Sequence, residues 1–222
     1  MITRILDIIL SSVALLLLLP LLFCVALILR FTGEGEVFFS QKRVGEDGKL
    51  FNLLKFATML KDSPNIFTGT VTLKDDPRVL PFGKILRKTK INELPQLVNI
   101  LIGDMSVVGP RPQTLRCFEV FPKEFQPIIS SVRPGLSGLG SIIFRDEENI
   151  LSENNESINY YDDVIAPYKG TIECYYVANR SFKNYFKIIA LTLWIIFFPS
   201  SKIIWKVFSD LPNPPHTLSR LL

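Results

Sequence analysis

The sequence predicts a mostly helical α+β fold associated with a membrane. Three features carry this reading. An uncharged apolar run lies near the N-terminus. The middle of the chain mixes short β-rich runs, turn residues and helical spacing. A second apolar stretch, interleaved with basic and aromatic residues, lies near the C-terminus. The chain has 222 residues, enough for one ordinary domain and a further element. It is 48% hydrophobic with mean hydropathy +0.29, yet 21% of its residues are charged. That balance excludes a multi-span membrane protein, a disordered chain, a coiled coil and a disulfide scaffold. Lys+Arg 25 against Asp+Glu 21 gives a net charge of +4, too mild for a nucleic-acid partner.

The N-terminal run extends from Ile8 to Leu29 without a charge. Roughly 20 apolar residues are enough to cross a hydrocarbon core. The run is longer than the apolar core of a signal peptide, about 7–15 residues, and ends in Arg30-Phe31 rather than at a cleavage site. Pro20 sits near its centre, where the missing N–H and a clash with the Leu16 carbonyl predict a kink. Arg4 precedes the run, and Arg30, Lys42 and Arg43 follow it, so both ends carry the basic residues that favour the cytoplasmic side. Composition alone still favours a simple span.

Residues 32 to about 180 read as a compact α+β domain. Val37–Gln41 and Leu50–Phe56 predict short strands, joined by the hairpin chemistry of Val44-Gly-Glu-Asp-Gly-Lys49. Asp75–Lys84 predicts a turn leading into a helix. Leu94, Leu97, Val98, Leu101 and Ile102 have helical spacing, with Asn92 as the expected N-cap, Pro95 in the first turn and Gly103 as C-cap. Arg78, Lys84, Arg87, Lys88 and Lys90 form a basic stretch before that helix. Asp146, Glu147, Glu148, Glu153, Glu156, Asp162 and Asp163 form an acidic stretch, expected to be solvated. Beyond the domain, Ile188–Phe198 is too short to cross a membrane. Five basic residues and no acid lie between Arg180 and Lys206, with Trp194 and Trp205 among them. This pattern suits a helix in the membrane interface or a buried helix with a basic rim. The resulting division is 1–31 for a membrane helix, 32–182 for the α+β domain, and 183–222 for an amphipathic interface helix and Pro-rich tail.

Chemistry concentrates in Lys84-Ile-Leu-Arg87-Lys-Thr-Lys-Ile-Asn92-Glu93-Leu-Pro-Gln96. A basic cluster feeding a helix N-terminus makes an anion site, and Glu93 there suits Mg²⁺, which takes one or two carboxylates plus phosphate oxygens. A capping and dipole role for the same residues is equally compatible. Arg111, between Pro110 and Pro112, sits on a stiff loop suited to phosphate. Other chemistries fail. Cys24, Cys117 and Cys174 form no CxxC, and the single histidine, His216, lies in the tail. No Walker A or Asp-x-Asp motif occurs. Gly135-Leu-Ser-Gly138-Leu-Gly140 has the wrong spacing for a dinucleotide fingerprint, and no strand-to-helix context is expected for it. Asn155-Glu-Ser and Asn179-Arg-Ser match a glycosylation sequon that is common by chance.

A series of motifs, in order, gives the chain a wider resemblance. They are the apolar segment with Pro20, Val37–Gly45, Leu54–Met59, Asp76–Val79, Asn92–Gln96, Gly103–Ser106, Gly109–Pro112 and Arg133–Leu136. Over nearly its whole length the chain resembles the small monotopic polyprenyl-phosphate phosphoglycosyl transferases, a family of bacterial sugar transferases. The resemblance implies transfer of a sugar 1-phosphate from a UDP-sugar to undecaprenyl phosphate. The products are an undecaprenyl-diphosphate sugar and UMP, at the start of O-antigen, capsule or related glycan synthesis. It implies a location at the cytoplasmic face of the bacterial inner membrane and an N-terminal helix that breaks at Pro20 and re-enters rather than spans. It also implies Mg²⁺ held by Glu93, phosphate contacts from Lys55, Arg87 and Arg111, and Asn92 and Glu93 at the reacting phosphorus. A homodimer and downstream glycosyltransferases stay open as partners.

The family works through an adjacent Asp-Glu pair in which the Asp attacks phosphorus. Here the pair is Asn92-Glu93, and a neutral amide cannot form that intermediate. The readings are a variant with Glu93 as nucleophile, direct attack by the lipid phosphate, or an inactive chain. An active variant is favoured because the surrounding basic and Pro-Arg elements are intact. The rival class is a catalytically inactive membrane-bound binding or scaffold protein; a polyprenyl-diphosphate hydrolase is a third option. Ala57 and Leu19 are smaller departures, where the family usually has a basic residue and a serine. Nothing in residues 113–180 encodes a particular sugar.

Overall fold

The computed structural model describes residues 2–66, 75–153 and 158–219. Asn155 and Glu156 lie outside the described residues. A long helix, α1 (Ile2–Phe31), leads into a hairpin of β1 (Phe38–Val44) and β2 (Leu50–Phe56). Next come α2 (Pro81–Lys88), a short turn at Ile91–Glu93, and α3 (Gln96–Ile102). Strand β3 (Ser106–Val108) follows, then α4 (Leu115–Glu119), α5 (Gln126–Ser130), β4 (Gly135–Ser137) and α6 (Leu139–Ile143). The rest is helical: α7 (Glu147–Glu153), α8 (Ile158–Tyr160), α9 (Ala166–Ala178), α10 (Phe182–Phe197), α11 (Ile203–Val207) and α12 (His216–Ser219). A widened π-type stretch, Tyr161–Ile165, joins α8 to α9.

The hairpin forms where expected, antiparallel with Phe38 opposite Phe56 and Val44 opposite Leu50. Its turn is tight because Asp47 and Gly48 both take left-handed backbone. A second sheet, parallel and only two strands wide, pairs Ser106 with Gly135 and Val108 with Ser137. It corrects one expectation: β4 runs through Gly138 directly into α6, so the Gly135–Gly140 stretch does connect a strand to a helix.

Helix α1 is one continuous helix through Pro20, not two segments that meet at a break there. The ring removes one N–H, and neighbouring bonds carry the helix past it. One stripe of α1 packs on the domain along its whole length. Leu6 joins the largest core, Ala14, Leu15 and Leu18 pack against Leu53, Leu97, Ile100 and Met105, and Leu22, Val25, Ala26 and Leu29 pack with Phe56 and Leu86. These residues recur every three or four positions, the spacing of one helix face. The other face, with Ile9, Val13, Leu16, Leu17 and Phe23, is exposed.

Polar contacts also tie the start of α1 to the domain. Near its start, Asp7 is buried and its Oδ1 accepts hydrogen bonds from the Ser106 hydroxyl (3.0 Å), the Val107 N–H (2.9 Å) and the Tyr185 hydroxyl (2.8 Å). Arg4 donates to the carbonyls of Ile100 and Leu101, the last turn of α3, where a cation meets the negative end of the helix. Gly103, at φ +106°, ends α3 as expected.

The largest core draws on Val108, Phe121, Ile165 and Ile172 and continues through Tyr185, Ile188, Leu191 and Ile195 of α10 to Ile204, Phe208, Leu211 and Leu218. The inner face of α10 therefore belongs to the domain core, while Phe182, Phe186, Leu193, Trp194, Ile196 and Phe197 stay exposed. The Pro-rich tail lies against the same core, with Tyr168 donating to the Pro212 carbonyl at 2.7 Å. Replacing Asp7 by Ala orphans one buried and two half-buried donors. We expect a loss of about 3 kcal/mol, read as a lowered Tm of the detergent-solubilised protein; an unchanged Tm would mean that the carboxylate contributes nothing to holding α1.

Candidate functional site

The Asn92-Glu93 pair sits in the turn between α2 and α3. Lys90 takes left-handed backbone, φ 60°, an uncommon conformation for a residue with a Cβ. The Glu93 N–H then donates back to the Lys90 carbonyl at 3.1 Å. Asn92 does not cap the helix. Pro95 occupies the cap position, and Asn92 is buried with its Oδ1 lacking any hydrogen-bond partner. The bend at Ile91–Glu93 separates Asn92 from the first free N–H groups of α3, and this overturns the capping expectation.

Helix α3 is docked on the edge of β2 by one side chain. The Asn99 Oδ1 accepts from the Leu54 N–H at 2.9 Å, and its amide nitrogen donates to the Asn52 carbonyl at 2.8 Å. That docking brings Lys55 of β2 to Glu93, Nζ to Oε1 at 3.5 Å. Arg111 reaches the same oxygen from the loop after β3, at 3.2 Å. Burial alone would push the Glu93 carboxyl up. The charges of Arg111, Lys55 and Lys90 outweigh it and hold the group well below the usual carboxylate range. In return, burial pushes Lys55 down to about 7 against the pull of Glu93, with Arg43, Arg111 and Arg87 adding repulsion.

Arg87 is placed differently. It is half-buried and forms an ion pair with Glu148 of α7, with its other terminal nitrogen near the Met59 sulfur. The structure thus joins Lys55 and Arg111 to Glu93 and turns Arg87 towards Glu148. The acidic stretch is not simply solvated either. Glu147 forms a 2.6 Å pair with buried Lys169, and Asp162 pairs with Arg116 at 2.7 Å. Arg78 leaves the basic stretch for the interior. It is fully buried, forked onto Asp76 and bonded to the Ser63 and Ile66 carbonyls, so the Asp-Pro-Arg segment works as a staple.

Two residues that the sequence did not single out for the site support the Arg111 loop. Arg43 donates to the Pro112 carbonyl at 3.1 Å. Glu173, buried on α9, accepts the Arg111 N–H at 3.0 Å through Oε1, while its Oε2 has no hydrogen-bond partner. Gly140 makes room for it, since a Cβ there would lie 2.2 Å from Oε1. Nothing in Ile172-Glu-Cys-Tyr-Tyr176 distinguishes Glu173 from a surface residue of a helix. His216 is exposed, and all three cysteines are free thiols.

A family model described as bacterial sugar transferase matches residues 1–199, and the chain belongs to that family. It is 37% identical over 155 residues to the exopolysaccharide production protein ExoY of Rhizobium meliloti, covering 64% of this chain and 68% of that one. It is 37% identical over 157 residues to the UDP-glucose:undecaprenyl-phosphate glucose-1-phosphate transferase of Escherichia coli, covering 69% of this chain and 34% of that longer protein. It is likewise 37% identical to the UDP-N-acetylgalactosamine-undecaprenyl-phosphate N-acetylgalactosaminephosphotransferase of Aeromonas hydrophila, over 64% of this chain and 34% of that one.

Burial raises the Glu173 carboxyl to about 7, against the Arg111 N–H and the charges of Lys169 and Arg111. A proton held more tightly when folded stabilises fully below about 4.5, the unfolded value, and that contribution is lost as pH rises through about 7. The loss is of the order of 3 kcal/mol at most. Wild type should therefore lose more thermal stability between pH 5 and pH 8 than Glu173→Gln, which carries no titrating proton. Parallel pH profiles for the two proteins would refute this account of Glu173.

Proposed function

We propose that this chain is a phosphoglycosyl transferase that moves a sugar 1-phosphate from a UDP-sugar to undecaprenyl phosphate and releases UMP, initiating an exopolysaccharide, capsule or O-antigen chain. The carrying observation is Glu93, a half-buried carboxylate held between Lys55 and Arg111 with Lys90 nearby. Two anionic substrates must meet here, so neutralising their phosphates is the main catalytic demand. Lys55, Arg111 and, one step removed, Arg87 supply the cations. The firm stance of Arg111 between two prolines, braced by Glu173 and Arg43, fixes where a phosphate would sit.

Glu93 stays ionised through the neutral range, so it serves as nucleophile or ligand rather than as proton donor. Asn92 cannot take the nucleophile's role. In the reaction an oxygen nucleophile, from the lipid phosphate or from Glu93, bonds to the sugar-bearing phosphorus. The bond from that phosphorus to the bridging oxygen breaks, and UMP leaves with the electron pair. If Glu93 attacks first, the lipid phosphate then displaces it in a second step.

Mg²⁺ fits the donors present. Asn92 Oδ1 is buried without a partner, Glu93 offers a carboxylate, and such an ion takes much of its shell from substrate phosphates and water. Among the described residues no group of three His, Cys, Asp or Glu forms an all-protein cage. Bound by Glu93 and Asn92, the ion would supply further neutralisation of the diphosphate.

We further propose that α1 enters the cytoplasmic leaflet without spanning it. Support comes from its packing: both ends and the stripe between them touch one domain, and its opposite face is apolar and exposed. A helix that crossed the bilayer would leave that domain at one end. The exposed apolar residues of α10 suit the same interface.

Detergent-solubilised protein with undecaprenyl phosphate, Mg²⁺ and a panel of UDP-sugars should release UMP with one or more donors. Glu93→Gln should abolish release, by roughly a hundredfold or more. Activity only in Asn92→Asp would identify a disabled enzyme, and silence in both would point to a binding or scaffold role. Topology has its own readout. A cysteine introduced as Thr3→Cys should resist external thiol labelling in intact spheroplasts, and labelling from outside would mean that α1 spans.

A further inference from the structure

A cleft of about 470 Å³ lies away from Glu93 and shares no residue with the Lys55–Glu93–Arg111 cluster. It opens where the start of α1 meets β3, the approach to β4, and the junction of α9 with α10. Three arginines from separate parts of the chain line it: Arg4 on α1, Arg133 just before β4, and Arg180 just before α10.

The acids at this cleft are already committed. The Oδ1 of Asp7 takes three donors from the protein, and Glu46 accepts the Arg133 Nε at 3.2 Å. Each guanidinium carries five N–H donors. Arg4 spends its terminal nitrogens on the two α3 carbonyls. Arg133 makes no other hydrogen bond or ion pair among the described residues, and Arg180 makes none among them. Donor capacity therefore exceeds what the protein itself accepts, on walls that hold like charges together. An anion relieves both conditions, and phosphate oxygens match the guanidinium fork.

The rim adds a second property. Phe182 lines the cleft and is exposed, as are Ile2 and Ile5 on either side of Thr3 and Arg4, and Phe186 one turn into α10. A ligand with a phosphate at the cleft and hydrocarbon beside it would satisfy both parts. We propose that this cleft is a second anion site, apart from the reaction centre, which takes the phosphate of an anionic membrane lipid and so holds the start of α1 to the start of α10.

The test is thermal unfolding of the full chain in a neutral detergent, and it is independent of turnover. Phosphatidylglycerol should raise Tm saturably by about 3 °C or more, with phosphatidylcholine giving little. Arg180→Gln, at an exposed position, should weaken that response roughly tenfold, and adding Arg133→Gln should remove it. Arg111→Gln, which takes a cation from the catalytic cluster, should keep it. Inorganic phosphate is run beside the lipids. If it alone gives a shift that Arg180→Gln abolishes, the anion site stands and its source is free phosphate, which overturns the lipid assignment. A phosphatidylglycerol shift unchanged in Arg180→Gln and in the double variant, or no shift with either ligand, overturns the site itself.

Discussion

The carboxylate of Asp7, sunk where α1 meets β3 and α10, ties the apolar helix to everything that follows it. Through Ser106 and Val107 it reaches the small parallel sheet, and through Tyr185 it reaches the helix that closes the core. Three residues of sequence earlier, near the same end, Arg4 holds the last turn of α3. Helix α3 in turn carries the turn of Asn92 and Glu93 at its other end and is fastened to β2 by Asn99. The membrane element and the reacting groups are thus joined through one short helix.

At the site, opposing effects of similar size decide the charge states. Taking Glu93 out of water favours its neutral form, and three nearby cations reverse that preference. The same burial acts on Lys55 with the opposite result, and there it prevails. Glu173 shows what burial does with weaker compensation, since one N–H and more distant charges do not keep its carboxyl in the ordinary range. Three ionisable side chains within one small region therefore answer differently to the same loss of solvent. The difference lies in how many charged partners each can reach directly.

Much of this was legible in the sequence. The hairpin, the helix after Leu94 with Gly103 as its stop, and the convergence of Lys55, Glu93 and Arg111 follow from local turn chemistry, periodicity and family motifs. Most of the failures share a cause: they depended on partners beyond the reach of local pattern. Arg87 looked like part of one basic cluster until Glu148, sixty-one residues on, claimed it. Arg78 had a partner only two residues away, yet its burial depends on carbonyls at Ser63 and Ile66. Asn92 carries the signature of a helix cap, and the bend after it moved the helix start to Pro95. Strands β3 and β4 are three residues each, too short for periodicity to register, and they pair across twenty-nine positions.

The stripe by which α1 lies on its own domain bears on bilayer thickness. A spanning helix is sized by the hydrocarbon it crosses, and mismatch forces it to tilt or the lipid to deform. In the arrangement proposed here, the depth of α1 is set by side-chain packing against Leu53, Leu97, Ile100, Phe56 and Leu86. The height of Glu93 above the acyl chains then becomes a property of the folded protein. Bilayers of different thickness would present the lipid phosphate to Glu93 at the same level.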